Sequence, residues 1–368
     1  MGDTREAAGS TPHLIPLAFS DLAGWRDDDH DAAFAAFRRS AEVLGTHPPK
    51  ARALGIDAGA LAASLAKAAA LPATLARGAA RAFFEATFRP LEVIAPSGGG
   101  FFTGYYEPEV AGSRTRTADF TVPLLGPPQD LVEFDPADAP PGVDPALRFA
   151  RKTGDLYNEC ADRRAIMTGA LDGQGLELVW LNDPVDAFFI HIQGAARIRL
   201  TDGSILRVTY AAKSGHPYTP IGRVLVTRGA LKPGTATMSA IRAWLAEHAD
   251  EAAAVMAENR SFIFFREAPV SDQALGPVAA AKVPLTPGRS LAVDRLAHSF
   301  HLPVWVETTL PDRDLFSRLM IAQDTGSAIV GPARGDVFFG SGDAAGAIAG
   351  AMSAKGRFIV LDPSGRGR

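Results

Sequence analysis

Apolar residues follow a helical repeat in the N-terminal part of the chain. Those in the segment 30–45 fall on one face of a helix, and the stretches 58–70 and 72–88 are rich in alanine, the strongest helix former. A proline at the start of the later stretch suits the first position of a helix. Pro90 is predicted to end the region, because the residue before a proline is disfavoured in a helix.

From about residue 91 the apolar spacing changes to the alternation that is typical of strands. A turn is predicted at 97–100, and three further helices at 158–171, 237–257 and 344–353. The predicted strands are short: 91–94, 101–106, 120–125, 176–181, 186–193, 196–200, 205–210, 262–265, 291–293, 304–307, 329–330, 337–339 and 358–361. Short strands with Gly/Pro turns favour barrels over a parallel α/β sheet. The predicted class is mainly β with helices (α+β).

Length and composition favour two globular domains. The chain has 368 residues, of which 47% are hydrophobic and 21% charged, so the apolar surface suffices for a core. The formal net charge is −4, and no basic excess points to nucleic acid. Neutral glycans and small molecules therefore remain open as ligands.

Several common types of functional site are absent from the sequence. Cys160 is the single cysteine, which excludes an internal disulfide and a thiolate zinc site, and we expect it to be a small apolar residue. The histidine pair His298-x-x-His301 is predicted to lie in a loop, so we expect no metal and no cofactor. The segment Gly340-Ser-Gly342 resembles a dinucleotide loop, but too little chain follows it for that fold. We expect a turn there, with Asp343 capping the last helix.

Membrane and export signals are also missing. No run reaches the 18 or more apolar residues of a membrane span, and Met1-Gly-Asp-Thr-Arg-Glu6 lacks the basic-then-apolar pattern of a secretory signal. Either the protein is not exported or the chain begins after its signal, and the sequence leaves both open.

Three aspartates remain as candidates for acid–base chemistry. Asp324 precedes Thr-Gly, Asp336 opens a Val-Phe-Phe strand, and Asp294 follows a short apolar strand. Taken singly, each is also compatible with an ordinary turn or strand-entry residue. Together, Asp324 and Asp336 form a polar pair among glycines and apolar strands, where loss of water can raise the pKa of one acid.

Six motifs occur in order between about residues 90 and 362. They are Phe102-Thr-Gly-Tyr-Tyr-Glu-Pro108, Arg164-Ala-Ile-Met-Thr-Gly-Ala-Leu171, Phe189-Ile-His-Ile-Gln-Gly194, Lys213-Ser-Gly-His-Pro-Tyr-Thr-Pro-Ile-Gly222, Ala322-Gln-Asp-Thr-Gly-Ser-Ala-Ile329 and Gly335-Asp-Val-Phe-Phe-Gly-Ser-Gly342. With Asp294, this pattern resembles the membrane-bound lytic murein transglycosylase A family, whose C-terminal module contains three strand-end aspartates. The chain departs from the family in lacking the export signal and lipid-attachment cysteine, and in having His298-Ser-Phe-His301 after the first aspartate.

The resemblance implies a double-psi β-barrel with a second β-rich domain inserted in it. The barrel and its N-terminal helices would comprise 1–108 plus 258–368, and the insert 109–257, with peptidoglycan bound between them. A lytic transglycosylase of this family cuts between N-acetylmuramic acid and N-acetylglucosamine and forms a 1,6-anhydro ring without water. One aspartate, here Asp336, would serve as both acid and base, with Asp324 and Asp294 in support.

The substrate-binding residues that we expect are polar, aromatic or glycine residues within these motifs. They are Thr103, Gly104, Tyr105, Tyr106, Gln193, Gly194, His216, Tyr218 and Gly326. Phe338 and Phe339 are expected to remove water from Asp336, and Arg334 to point outward or onto the substrate, since an inward cation would favour the ionised acid.

The resemblance also implies a periplasmic protein associated with the outer membrane, and leaves room for partners among other cell-wall synthesis or hydrolysis proteins. Two alternatives stay open. One is a β-glycan hydrolase on the same barrel, which needs a second carboxylate such as Asp324 about 6.5–9.5 Å from the first. The other is a cell-wall-binding protein without catalysis.

Overall fold

The structure is a computed structural model, and it describes residues 12–96, 98–269 and 272–363. The described chain forms two units with separate cores. Unit 1 contains the chain up to Tyr105, Ala274–Gly340 and the chain from Met352, and unit 2 contains Tyr106–Gln273 and Ser341–Ala351. None of the described helices has the length and apolar character needed to span a bilayer.

Helices and strands alternate irregularly along the chain. The first segment contains β1 (His13–Pro16), α1 (His30–Ser40), α2 (Ala58–Ala70), α3 (Ala79–Thr87), β2 (Arg89–Ile94) and β3 (Gly100–Glu107). The middle segment contains β4 (Glu109–Ser113), β5 (Val122–Leu125), β6 (Leu131–Glu133), β7 (Phe149–Thr153), β8 (Leu156–Asn158), α4 (Arg163–Met167), β9 (Glu177–Leu181), α5 (Pro184–Gln193), β10 (Ala195–Leu200), β11 (Ile205–Lys213), α6 (Ile221–Thr227), α7 (Met238–Glu247), α8 (Ala249–Ala257) and β12 (Ile263–Ala268). The last segment contains β13 (Ser290–Val293), β14 (Pro303–Thr309), β15 (Leu315–Asp324), β16 (Arg334–Ser341), α9 (Gly342–Ala351) and β17 (Ser353–Asp362). This mixture confirms the predicted class.

The sheet of unit 1 closes on itself. Among the described residues its strand order is β1-β2-β17-β14-β15-β13-β16-β3, and β17 also pairs with β3. The six strands from β17 to β3 therefore form a ring, which leaves no open edge among them. The double-psi winding of these strands stays a prediction.

Strand β13 holds two of the candidate acids in register. It pairs in parallel with β15 on one side and antiparallel with β16 on the other. Ala292 is the partner of Asp324 in the first ladder and of Asp336 in the second. The two aspartates therefore lie level with each other, two strand spacings apart, which is roughly 9–10 Å between backbones.

The core of unit 1 is aromatic, and it supports this sheet from the side of the N-terminal helices. Phe34 and Phe37 of α1, Phe84 of α3 and Trp305 of β14 are all at most 2% exposed. Trp25 joins them, with its ring centroid 5.0 Å from that of Trp305. Burial of one such side chain stabilises a fold by about 1.5–3 kcal/mol, so the sheet has a rigid backing.

Unit 2 contains two antiparallel-rich sheets. The larger has the order β12-β11-β10-β4-β9-β5 and the smaller the order β6-β7-β8. Helix α5 packs on the larger sheet through Ala187 and Ile190, which share a core with Ile198 and Val208. Helices α6, α7 and α8 form a further apolar cluster with the other side of α5.

One predicted strand, 186–193, is wrong, because these residues form α5. Asp183 accepts a hydrogen bond from the Val185 amide at 2.7 Å, Pro184 occupies the first turn, and Gly194 ends the helix with φ 81°. Five consecutive residues, 187–191, are buried. A segment buried on all sides shows no clear period, so its capping residues carry the only signal for helix.

Strand β15 was missed, and the strand predicted at 329–330 is absent because these residues lie in a loop. In β15 the residues 319–323 are all buried, so the alternation that marks a half-exposed strand is lost. The last residue of this strand is Asp324, one of the three candidate acids.

Three predicted helices also have different limits. The helix expected at 72–88 begins only at Ala79, after Gly78 with φ 79°. The one at 158–171 shrinks to α4, where Gly169 at φ 98° follows the end of the helix. The one at 237–257 divides at His248 into α7 and α8. The turn predicted at 97–100 includes residue 97, which lies outside the described residues.

Candidate active site

Asp336 lies within β16 on the face that it shares with Arg334 and Phe338, because alternate residues of a strand point the same way. The Thr103 hydroxyl, from β3, donates a hydrogen bond to Asp336 Oδ1. Burial raises the pKa of Asp336, while the positive charge of Arg334 and the hydrogen bond from Thr103 act in the opposite direction. Burial is the largest of these effects, so this acid holds its proton more tightly than an ordinary aspartic acid.

Asp324 is surrounded by donors without charge. The Tyr105 hydroxyl donates to Oδ2 at 2.9 Å, and the backbone amide of Ala280 donates to Oδ1 at 3.2 Å. Burial, helped by the nearby charge of Asp336, raises the pKa of Asp324 to about 6. Burial and Asp324 together raise the pKa of Tyr105 well above its ordinary value, so Tyr105 keeps its proton and remains a donor.

Only one of the two expected phenylalanines borders the acids. Phe338 is 1% exposed, and its ring centroid lies 5.3 Å from that of Tyr105. Phe339 points to the other face of β16 and packs against the core of unit 1. Gly276 is needed beside Phe338, because a Cβ there would lie 2.4 Å from the ring.

Arg334 does not point outward, so this part of the expectation is wrong, whereas its contact with substrate stays a prediction. Its Nη2 donates to Thr103 Oγ1 at 2.6 Å, its Nη1 donates to the Gly335 carbonyl, and its guanidinium lies 5.2 Å from the centre of the Phe101 ring. The sequence contained a signal for this orientation. Arg334 precedes Asp336 by two residues at the start of a predicted strand, and residues two apart in a strand point to the same face.

Tyr106 and Gln193 meet within unit 2. The Gln193 side-chain oxygen, at the end of α5, accepts a hydrogen bond from the Tyr106 amide at 3.1 Å. The Tyr106 ring lines a cavity of about 460 Å³ together with Asp186 and Arg242, which form an ion pair at 2.8 Å. Gly346 also lines this cavity, and a Cβ there would lie 2.7 Å from the Tyr106 ring.

Two predicted site residues make contacts that stabilise loops. Asp294 accepts hydrogen bonds from the amides of Leu296 at 2.9 Å and Gly331 at 2.8 Å, so it ties the end of β13 to a distant loop. His216 is buried, and its Nε2 donates to the Cys160 carbonyl at 2.7 Å. Cys160 itself is buried, and burial raises the pKa of its thiol to about 11.

The other predicted residues are more open. Tyr218 is 37% exposed in the loop after β11, and Gly326 is exposed in the turn after β15. Gly104 separates Thr103 from Tyr105 in β3, and Gly194 is the left-handed residue that ends α5.

Sequence analysis did not identify one buried cluster in unit 2. Glu107 is fully buried, and its oxygens accept hydrogen bonds from Arg207 Nε at 2.6 Å, Arg197 Nε at 2.9 Å and the Ser341 hydroxyl at 2.7 Å. Glutamate and the two arginines are distant in sequence, so no motif links them. Over 12–96, 98–269 and 272–363, no group of three or more His, Cys, Asp and Glu residues is arranged to hold a metal ion.

Two family models match the chain. The MltA specific insert domain matches residues 101–266, and the 3D domain matches residues 289–362. The second match contains all three aspartates singled out above, and the first contains the Thr103 and Tyr105 strand.

Proteins of known identity resemble the chain over most of its length. Membrane-bound lytic murein transglycosylase A of Escherichia coli (strain K12) is 34% identical over 269 residues, which cover 71% of this chain and 65% of that protein. The crystal structure of a membrane-bound lytic murein transglycosylase from Agrobacterium tumefaciens is 45% identical with a TM-score of 0.87, and the match covers 95% of this chain and 97% of that one. The structure of E. coli MltA with bound chitohexaose is 25% identical with a TM-score of 0.64, over 95% of this chain and 91% of that one.

Proposed function

This chain belongs to the membrane-bound lytic murein transglycosylase A family, and from that premise we propose that it cleaves peptidoglycan glycan strands with Asp336 as acid and base. The observation that carries the proposal is the setting of Asp336, a carboxyl whose pKa is raised by burial and whose Oδ1 is held by Thr103. The chitohexaose bound by the E. coli relative supports a glycan as the substrate.

In the first step the protonated Asp336 gives its proton to the oxygen between N-acetylmuramic acid and N-acetylglucosamine. The bond from that oxygen to C1 of the muramic acid breaks, and positive charge develops at C1. A raised pKa serves this step, because the acid must still hold its proton when substrate arrives near neutral pH.

In the second step Asp336, now a carboxylate, takes the proton of the C6 hydroxyl of the same sugar. The C6 oxygen forms a bond with C1 and closes the 1,6-anhydro ring, and Asp336 regains its proton. Water is not consumed. Because the attacking hydroxyl is part of the substrate, its effective concentration is high, and one carboxyl suffices for both steps.

Substrate contacts are proposed for side chains of β3 and α5. Tyr105 and Tyr106 offer aromatic faces to sugar rings, and Gln193 offers an amide for hydrogen bonds to hydroxyl or acetamido groups. Asp324 is assigned a supporting role, since its hydrogen bonds with Tyr105 and Ala280 hold β3, the strand that also carries Thr103. Residues 1–108 plus 258–368 would supply the catalytic barrel, and 109–257 the inserted domain.

The location of the protein is part of the same proposal. Its relatives are described as membrane-bound, which indicates an association with the cell envelope. We infer that the enzyme works in the periplasm at the outer membrane, where peptidoglycan lies.

Mass analysis of purified peptidoglycan after digestion tests the proposed reaction. We expect products that end in 1,6-anhydro-N-acetylmuramic acid, each lighter by one water than a hydrolysis product. Digestion in heavy-oxygen water should leave these ends unlabelled. Labelled reducing ends in place of anhydro ends would identify a hydrolase, which needs a second carboxylate such as Asp324. Binding without cleavage would identify a non-catalytic wall protein.

A further inference from the structure

Arg334, Thr103 and Asp336 form a chain of hydrogen bonds within unit 1. Arg334 Nη2 donates to Thr103 Oγ1 at 2.6 Å, and Thr103 Oγ1 in turn donates to Asp336 Oδ1. Among the described residues, no group donates to the other carboxyl oxygen of Asp336, Oδ2. The two oxygens of the acid therefore have different surroundings.

The direction of these hydrogen bonds follows from the chemistry of the donors. A guanidinium has only donors, so the Thr103 oxygen must be the acceptor in its bond with Arg334. The Thr103 proton is then free to point at Asp336 Oδ1. A hydroxyl that accepts from a cation becomes a stronger donor and a weaker acceptor, because each bond of a chain polarises the next. A proton placed on Asp336 Oδ1 would face this polarised hydroxyl with the cation behind it.

We propose that Arg334 is a positioning residue that acts through Thr103 and confines the transferable proton of Asp336 to Oδ2. The inference rests on the proposed function of Asp336 as the acid, and it adds which oxygen carries the proton. An acid with its proton on one known oxygen meets the glycosidic oxygen in a single geometry. An acid free to hold it on either oxygen spends part of its time in an unproductive state.

The same chain assists the second step. Once Asp336 has given up its proton, the carboxylate keeps the hydrogen bond from Thr103 and the attraction of Arg334, which stabilise it until the C6 hydroxyl approaches. Among residues 12–96, 98–269 and 272–363, the other titratable groups that interact with Asp336 are Tyr105, which keeps its proton, and Asp324. Arg334 is thus the cation that acts on Asp336, and it does so from its own strand.

Contact with substrate alone is a weaker explanation for Arg334. Both Nη atoms of its guanidinium already donate to protein groups, and the guanidinium lies over the Phe101 ring. These contacts fix the side chain before any substrate binds, which suits a positioning role.

The test combines single and double substitutions with two measurements. The variants are Arg334→Gln, Thr103→Val, the double variant, and Thr103→Ser, which keeps the hydroxyl. Arg318→Gln is the matched control, because Arg318 also lies over a phenylalanine ring, Phe316, at 5.0 Å. The measurements are the pH dependence of kcat and KM on purified peptidoglycan, and an NMR titration of isotope-labelled aspartate carboxyls with the Asp336 signal assigned from Asp336→Asn.

We expect Arg334→Gln and Thr103→Val each to raise the pKa of Asp336, since each removes an interaction that lowers it. The alkaline fall of the rate should move to higher pH, and kcat should drop roughly 10-fold at unchanged KM, as for the loss of a charge-assisted hydrogen bond. In the Thr103→Val background, Arg334→Gln should have a clearly smaller effect on kcat than in the wild type. Arg318→Gln should behave like the wild type. Thr103→Ser keeps the hydroxyl, so it should leave the pKa of Asp336 close to that of the wild type and should reduce kcat less than Thr103→Val does.

Two results would overturn the proposal. Fully additive effects of Arg334→Gln and Thr103→Val on kcat would show that Arg334 does not act through Thr103. A rise in KM with an unchanged pH profile would assign Arg334 to substrate binding. If the wild type forms no anhydro products, the proposed function fails, but the titration still decides whether Arg334 and Thr103 control the pKa of Asp336.

Discussion

Two groups of carboxylates bind residues of one strand, β3, or belong to it, and they differ in their hydrogen-bond donors. In unit 1, Thr103 and Tyr105 of this strand donate hydroxyl hydrogen bonds to Asp336 and Asp324. In unit 2, Glu107 of the same strand is bonded directly by two arginines. The first arrangement leaves a carboxyl able to hold and release a proton, whereas the second fixes a carboxylate in an ion pair.

The difference follows from where the positive charge lies. Arg197 and Arg207 both contact Glu107 itself, and a charge-assisted hydrogen bond is roughly twice as strong as a neutral one. Hydrogen bonds link Arg334 to Asp336 through the Thr103 hydroxyl, and burial is the largest influence on the pKa of Asp336. A hydroxyl between the cation and the acid, as at Asp336, is thus compatible with acid catalysis. Direct contact between arginine and carboxylate, as at Glu107, stabilises the fold instead.

The largest expected effect is that of Asp336→Asn. This substitution keeps the size of the side chain and removes the transferable proton, so activity should fall by about 10²–10⁴-fold or more, since one group serves both steps. Initial rates of anhydro-product formation measure the loss. Melting temperature and glycan binding should stay close to the wild type, and a loss of both would mean that the variant reports on folding instead.

The substitution Glu107→Gln tests the other cluster and should act on stability. It leaves two buried arginines without their anion, which typically costs about 3–5 kcal/mol. Urea unfolding measures the change. Glu109→Gln is the matched control, because Glu109 pairs with Arg199, whose side chain is 67% exposed, and loss of such a surface pair costs about 0–1 kcal/mol. Equal effects of the two substitutions would remove the distinction between the clusters.

Asp324→Asn should reduce activity less than Asp336→Asn. An asparagine can still accept a hydrogen bond from the Ala280 amide, and its NH₂ group can donate to the Tyr105 oxygen. Both hydrogen bonds that hold β3 at this point are therefore kept. We expect a loss of at most about 100-fold, as is common for residues that support a site without taking part in the chemistry. If Asp336→Asn remained active while a stably folded Asp324→Asn was inactive, the catalytic assignment would move to Asp324.

The smallest effect concerns the pH dependence of stability. Asp324 has a folded pKa of about 6 and an ordinary value of 3.8, so between these values the folded state binds more protons than the unfolded state. The contribution of Asp324 to stability therefore decreases as pH rises through this window and is constant above it. Urea unfolding across the window should show a shallower decrease in Asp324→Asn than in the wild type. An unchanged slope would contradict the raised pKa.

Much of the barrel was predictable because its strands are short apolar runs bounded by turn residues. Residues 101–106 of β3 and 337–339 of β16 were identified in this way, and their glycine-framed motifs indicated Asp336. Strand β15 and helix α5 were not, because each contains a run buried on all sides, where burial erases the period. In α5 the capping residues Asp183 and Gly194 were visible in the sequence and should have outweighed the apolar run.

The sequence indicated which residues are candidates for the site better than it indicated which of them contact one another. Tyr105 and Asp324 are far apart in sequence, and their hydrogen bond depends on the ladder order of the closed sheet. The same holds for Glu107 and its two arginines. For Arg334 the signal was present but was not used: its spacing of two from Asp336 places both side chains on one face of β16.

The position of Ala292 between Asp324 and Asp336 restricts how this protein can change over evolution. Both acids are kept level by backbone ladders to one short strand, so their spacing does not depend on the side chains around them. Deleting one residue from β16 ahead of Asp336 would turn the acid to the opposite face of the sheet while most ladder bonds could re-form. Lineages can therefore vary this site by substitution, whereas gains and losses of residues are tolerated only in the connecting loops.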